Sequence, residues 1–122
     1  MEKIHSQRKF VSIVPEGSSY EGFFLDYYIV KSGIRIPGSD ILATVYGIEI
    51  EKKYEEEGRV KVLEQANIND IFTTKEHTEK FIKKLASGCV TPSALKYVID
   101  ELLDEKGYEP PEFTITKGVQ KA

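Results

Sequence analysis

The chain has 122 residues, 40% of them hydrophobic, and Gly and Pro together occupy only 14 positions, which excludes a linker-rich or low-complexity chain and suits one domain around a modest core. Twenty acids against 17 bases leave a net charge of −3, so no chain-wide field draws the protein to nucleic acid or to an anionic membrane surface. The single cysteine excludes an intrachain disulfide framework and a multi-cysteine zinc cage, and no apolar run nears the roughly 18 residues of a bilayer span, so a cytoplasmic, non-membrane protein is expected.

The amino-terminal MEKIHSQRKF lacks the apolar stretch of a secretory signal. Phe10 to Val14 is a short strand candidate, and Tyr20 to Lys31 is a longer one. In the second, Phe23, Phe24, Leu25, Tyr27, Tyr28, Ile29 and Val30 leave almost no polar face, so both faces need cover. Helices on one side, and a second chain or the amino-terminal segment on the other, would supply it. Turn residues Gly17-Ser18-Ser19, Ser32-Gly33 and Pro37-Gly38-Ser39-Asp40 punctuate this half.

From Ile41, Leu42, Tyr46, Ile48 and Ile50 fall on one side of a strand, and Glu49, Glu51 and Lys53 on the other. Beyond the polar connector Tyr54 to Gly58, Val60, Val62, Ala66 and Ile68 alternate with Arg59, Lys61, Gln65 and Asn67, with Glu64 interrupting the apolar side. The two segments read as a β-hairpin.

Thr73 and Glu76 have capping-box spacing, which starts a helix whose stripe is Thr78, Phe81, Ile82 and Leu85 and whose end is a left-handed Gly88. Thr91-Pro92 caps and opens a second helix, where Leu95, Val98, Ile99, Leu102 and Leu103 recur at helical period until Gly107. The short connection makes an αα-hairpin with both stripes on one sheet face. Pro110-Pro111 holds residues 108–122 as an extended tail, in which Phe113 to Thr116 adds an edge strand. The predicted fold is α+β, an antiparallel β-meander of three to five strands followed by that hairpin, all within one domain of residues 1–122.

The strand from Tyr46 to Lys52, the helix Lys80 to Leu85, and Val90-Thr91-Pro92 leading to Val98-Ile99-Asp100-Glu101-Leu102-Leu103 resemble a family of small uncharacterised proteins of low-GC Gram-positive bacteria, of the kind classed as domains of unknown function. The match covers about residues 42–105. It implies a fold and a bacterial, phage- or mobile-element-linked origin, and it implies no reaction and no catalytic residue. The aromatic amino-terminal segment and the Pro-Pro tail lie outside it.

No catalytic set, metal-ligand set or cofactor site emerges. Cys89 near a helix start would need a base, and His77 is the neighbour in sequence, but a small buried apolar role in the helix connection accounts better for Cys89. His5 and His77 have no partner at ligand spacing. Asp100, Glu101, Asp104 and Glu105 form an acidic helix end, read as a solvated face. The ligand candidates are Tyr20, Tyr27 and Tyr28 as ring surfaces, with Ser18, Ser19 and Arg35 offering loop amides and a cation to an anionic small molecule. No Lys or Arg interleaves the aromatics between Ser18 and Val30, which argues against nucleic acid. The reading favoured is a non-enzymatic binding or regulatory protein acting through a protein partner or as a homo-oligomer. The alternative is sequestration of a nucleotide-like signal.

Overall fold

In the computed structural model of the chain, residues 2–12, 16–17, 22–106 and 113–117 are described, with side chains as far as Glu101. Five strands, β1 (Glu2–Val11), β2 (Phe23–Arg35), β3 (Leu42–Glu56), β4 (Arg59–Phe72) and β5 (Phe113–Lys117), form one antiparallel sheet in chain order. Two helices, α1 (Lys75–Ser87) and α2 (Pro92–Lys106), follow β4. Helix α1 lies over β1 to β3 and α2 chiefly over β4, so both cover the same face of the meander, as the α+β reading expects. The tail strand also forms: β5 pairs with β4 from Ile68↔Phe113 to Glu64↔Lys117.

Period-two alternation builds the core. Phe23, Leu25, Tyr27 and Ile29 of β2, Ile48, Ile50 and Tyr54 of β3, and Ala66, Ile68 and Phe72 of β4 point toward the helices. Phe81, Ile82 and Leu85 of α1 and Leu95 and Ile99 of α2 meet them, each fully buried Leu or Ile contributing about 1.5–3 kcal/mol of transfer free energy. The buried Tyr27 hydroxyl donates to the Val90 carbonyl at 2.9 Å, pinning the helix connection to the middle of the sheet. Glu64, the interruption in the apolar side of β4, accepts a hydrogen bond from Ser93 in the first turn of α2. A polar residue on the helix side of β4 therefore docks α2.

Strand β1 differs from the expected Phe10 to Val14. It begins at Glu2 and ends at Val11, and Val14 lies outside the described residues. The physical reason is a bulge between His5 and Gln7, which inverts the alternation so that Ile4 and Val11, seven residues apart, both pack on the core. No single period runs through the strand. The second strand likewise starts at Phe23, and Tyr20 lies outside the described residues.

The hairpin connections follow turn chemistry. Between β3 and β4, Glu57 and Gly58 have φ of 54° and 75°, a two-residue loop with both central residues left-handed, so the strands run further than the expected connector allowed. Between β2 and β3, the Ser39 amide donates to the Ile36 carbonyl around Pro37 and Gly38, the latter at φ 80°.

Both ends of α1 correct the sequence reading by one residue. The cap is Thr74, whose hydroxyl accepts from the His77 amide at 3.2 Å, rather than Thr73. At the other end Gly88 has φ of −92°, and Cys89 takes the left-handed conformation at φ 51°. The Cys89 amide donates to the Ala86 carbonyl and the Val90 amide to the Leu85 carbonyl, the paired bonds of a Schellman motif with Cys89 where glycine is usual. Its thiol is exposed. The expectation of a buried apolar cysteine is therefore wrong, because the left-handed turn carries the side chain away from the core. The buried stripe of α1 is as expected, while Leu102 and Leu103 of α2 and the segment with Gly107, Pro110 and Pro111 fall outside the described side chains and residues.

Candidate functional site

The helices leave the opposite face of the sheet open, and it carries two zones built from the outward-alternating residues. The first centres on Asp26, which is 0% exposed although it faces away from the helices. Arg8 donates to both of its oxygens at 2.8 Å, His5 Nε2 lies 3.0 Å from Oδ1, and Lys53 Nζ lies 3.0 Å from Oδ2. The register explains the gathering, since Arg8 and Glu51 stand directly beside Asp26 on the neighbouring strands.

The network extends along the sheet. Lys53 also binds Glu51 at 3.1 Å and donates to the Tyr28 hydroxyl at 2.8 Å. Lys3 binds Glu49 at 2.8 Å and Glu51 at 3.4 Å, and the Gln65 amide donates to Glu49 at 2.7 Å. The charged heads of the cations lie over aromatic rings, with Lys3 Nζ 4.5 Å from the centre of Tyr28 and the Arg8 guanidinium 4.7 Å from that of Phe24. Phe24 in turn meets Phe10 at 5.0 Å. The second face of the aromatic strand β2 is thus roofed largely by basic side chains of β1 and β3, so the amino-terminal segment, one of the two covers the sequence reading offered, supplies part of it as a paired strand.

Charges respond accordingly. Burial pushes the Asp26 carboxyl up, but the hydrogen bonds from Arg8, His5 and Lys53 outweigh it and hold the group well below the usual carboxylate range. For Lys53, burial favours the neutral amine, and the bonds to Tyr28, Asp26 and Glu51 reverse this and raise its pKa. Glu51 is lowered, its burial overcome by Tyr28 and Lys53, while burial raises the Tyr28 phenol. Among the described residues no buried side-chain nitrogen or oxygen lacks a hydrogen-bond partner. The buried groups of the network are therefore satisfied within the protein, while Arg8 and His5 at its outer side are about half exposed.

The second zone is apolar. Strand β4 bulges opposite Gly47, where residues 69–71 stand between the pairs Tyr46↔Phe72 and Ile48↔Ile68. A Cβ on Gly47 would lie 2.2 Å from the Ile68 carbonyl oxygen and 2.8 Å from the Asn69 Cα, so β4 crosses the open face there. Asp70, at φ 56°, accepts from Ser32 across this crossing. Val30 and Val45 on the same stretch of the open face are buried. Beyond it, β2 and β3 continue alone as a two-stranded ribbon, paired Gly33↔Thr44, Ile34↔Ala43 and Arg35↔Leu42. The Ile36 amide closes it by donating to the Ile41 carbonyl at 3.0 Å. Alternation puts Ile34, Ile36, Ile41 and Ala43 on the open face, and the three isoleucines are 41%, 41% and 62% exposed. Leu42, also exposed, projects from the reverse side.

The sequence candidates do not assemble into one pocket. Tyr27 is buried in the core and Tyr28 lies on the opposite face, as neighbours in a strand must. Arg35 stands exposed on the ribbon, 3.7 Å from Asp40 and seven residues along β2 from Tyr28. Ser18, Ser19 and Tyr20 lie outside the described residues. His77 packs against Phe72 at the start of α1, while Cys89 follows its far end, about 18 Å away at the helical rise. They cannot act as a nucleophile–base pair. Among the described residues, no group of three or more His, Cys, Asp or Glu side chains is placed to hold a metal ion.

Sequence reasoning missed Asp26, Arg8 and His5 as a unit. The available signal was one acid in an otherwise apolar strand, and basic residues at alternate positions of a segment whose register the bulge concealed.

Fold and face together define a two-layer α+β protein with a helix-covered sheet and an open face that is polar at its centre and apolar at its ribbon. The chain belongs to the DUF6514 family, a family of unknown function, whose pattern matches residues 10–105. The match reaches back to Phe10, so β2 with its arm of the ribbon, outside the resemblance read from sequence, is within the family's domain. No curated protein and no solved structure matches the chain. Among the described residues no helix is long and apolar enough to cross a membrane.

Proposed function

We propose that the protein is a non-enzymatic binding protein that works through protein–protein contact, with the open-face side of the β2–β3 ribbon as the contact surface. The observation that carries this reading is the exposure of Ile34, Ile36 and Ile41 side by side on a ribbon that projects beyond the other strands. A two-stranded ribbon has little stability of its own in water, and three clustered isoleucines there serve packing only if something covers them. Covering each would return about 1 kcal/mol, which contributes to a contact without meeting the cost of association alone. The buried carboxylate at the centre of the network beside the ribbon, already bound by Arg8, His5 and Lys53, supports a rigid platform over a pocket for a small anion. The single thiol and the family resemblance support a cytoplasmic setting in a low-GC Gram-positive bacterium, with a phage or mobile-element link.

Native mass spectrometry of the protein purified from its own host tests this reading. The expected spectrum contains a protein complex heavier than the 13.9 kDa chain, lost on Ile41→Lys. A bare monomer, or a monomer retaining a small anionic ligand, would count against it and, in the second case, for the sequestering alternative.

A further inference from the structure

We infer that β1 is a separable strap over the edge of β2, fastened by charge more than by the core. Its release is independent of the ribbon contact proposed above. None of the 10 residues of β1 is buried, whereas β2, β3 and β4 each bury several. Of its apolar side chains only Ile4 and Val11 pack on the core, and both are partly buried. The bulge between His5 and Gln7 also divides the ladder with β2 into two short runs, Glu2 to His5 and Gln7 to Val11. An edge strand with so few buried contacts opens at a lower free energy than the strands inside the sheet.

The fastening is polar and runs to the inner strands. Lys3 pairs with Glu49 and Glu51 of β3, and His5 and Arg8 pair with Asp26 of β2. These acids are enclosed, while the three bases of β1 lie over them on the water side and recover solvent when they leave. Asp26 then keeps a cation, because Lys53 of β3 stands 3.0 Å from it and also holds Glu51 at 3.1 Å. The open sheet thus avoids a buried charge without a partner, the state that would otherwise forbid release. With β1 away, the edge of β2 from Phe23 to Lys31 is unpaired among the described residues. A strand that takes its place must bring a base to Asp26, as Arg8 does.

Native-state amide hydrogen exchange of the full chain, followed residue by residue by NMR, reads this directly. In wild type the β1 amides bonded to β2 should exchange through an opening in which the β3–β4 ladder stays protected. Arg8→Gln, at a half-exposed position, should lower the protection of β1 about tenfold or more and leave the β3–β4 ladder unchanged. Ile4→Ala should lower it less, because the core holds β1 less firmly than the acids do.

Wild-type β1 amides that exchange only together with the β3–β4 ladder overturn the inference, as does an Arg8→Gln variant whose β1 protection is unchanged or whose loss is spread evenly over every strand. A greater loss in Ile4→Ala than in Arg8→Gln would show that packing fastens β1, and the charge latch fails. An Arg8→Gln chain that does not fold also overturns the inference, because β1 is then inseparable from the rest of the sheet.

Discussion

Replacing Asp26 by Asn tests whether the open-face network holds the sheet together. The carboxylate is fully buried and accepts from Arg8 twice, from His5 and from Lys53. Asparagine is close in shape but removes the charge and turns an NH2 toward groups that are donors themselves. Breaking a buried pair by removing one partner costs roughly 3–5 kcal/mol. Here Arg8 and His5 are about half exposed and recover water, and Lys53 retains Glu51 and Tyr28. The expected loss is therefore at the low end, about 3 kcal/mol, or a Tm fall of roughly 10 °C for a chain of this size.

The pH dependence supplies a second arm. The folded-state pKa of Asp26 is depressed, so its contribution is present above the unfolded carboxylate value near 4 and is lost as pH falls through the folded value. The gap between wild type and Asp26→Asn should be full at pH 7 and narrow steadily from about pH 5 to about pH 2. Urea unfolding followed by circular dichroism at several pH values measures both. A gap below about 1 kcal/mol at pH 7, or one that does not shrink in acid, would refute the assignment of Asp26 as the anchor.

Three further outcomes follow from single contacts. Gly47→Ala should cost about 2–3 kcal/mol, because its Cβ meets the backbone of Ile68 and Asn69 rather than a flexible side chain; a thermal scan matching wild type would contradict the close crossing. Cys89→Gly should raise stability by about 1 kcal/mol by relieving a left-handed non-glycine residue, readable as a higher urea midpoint, and a lowered midpoint would show that the thiol side chain contributes packing. Tyr27→Phe should lose about 1 kcal/mol by stripping the Val90 carbonyl of its donor, and amide hydrogen exchange should quicken first at the α1–α2 connection. Uniform exchange throughout would mean that the hydroxyl does not pin that connection.

The local pattern by itself determined much of this protein. Ile48 and Ile50, Ala66 and Ile68, and the helical recurrence of Phe81, Ile82 and Leu85 each repeat at the period of their element, and burying those stripes on one another leaves little choice but helices on one side of a meander. Turn residues marked the breaks between elements to within a few positions. What required the tertiary structure is whatever depends on register or on a backbone irregularity. The bulge at Ser6 hid β1 by inverting its alternation, and the left-handed residue at the end of α1 proved to be Cys89 rather than the adjacent glycine. Asp26 reads as an isolated acid until antiparallel pairing sets Arg8 on one side and Glu51 on the other, with His5 and Lys53 in reach. The ribbon is the same kind of case, because Ile34, Ile36 and Ile41 are ordinary strand residues in sequence. They become a surface only because β1 and β4 stop pairing before reaching them, and strand length relative to a neighbour is a property of the assembled sheet.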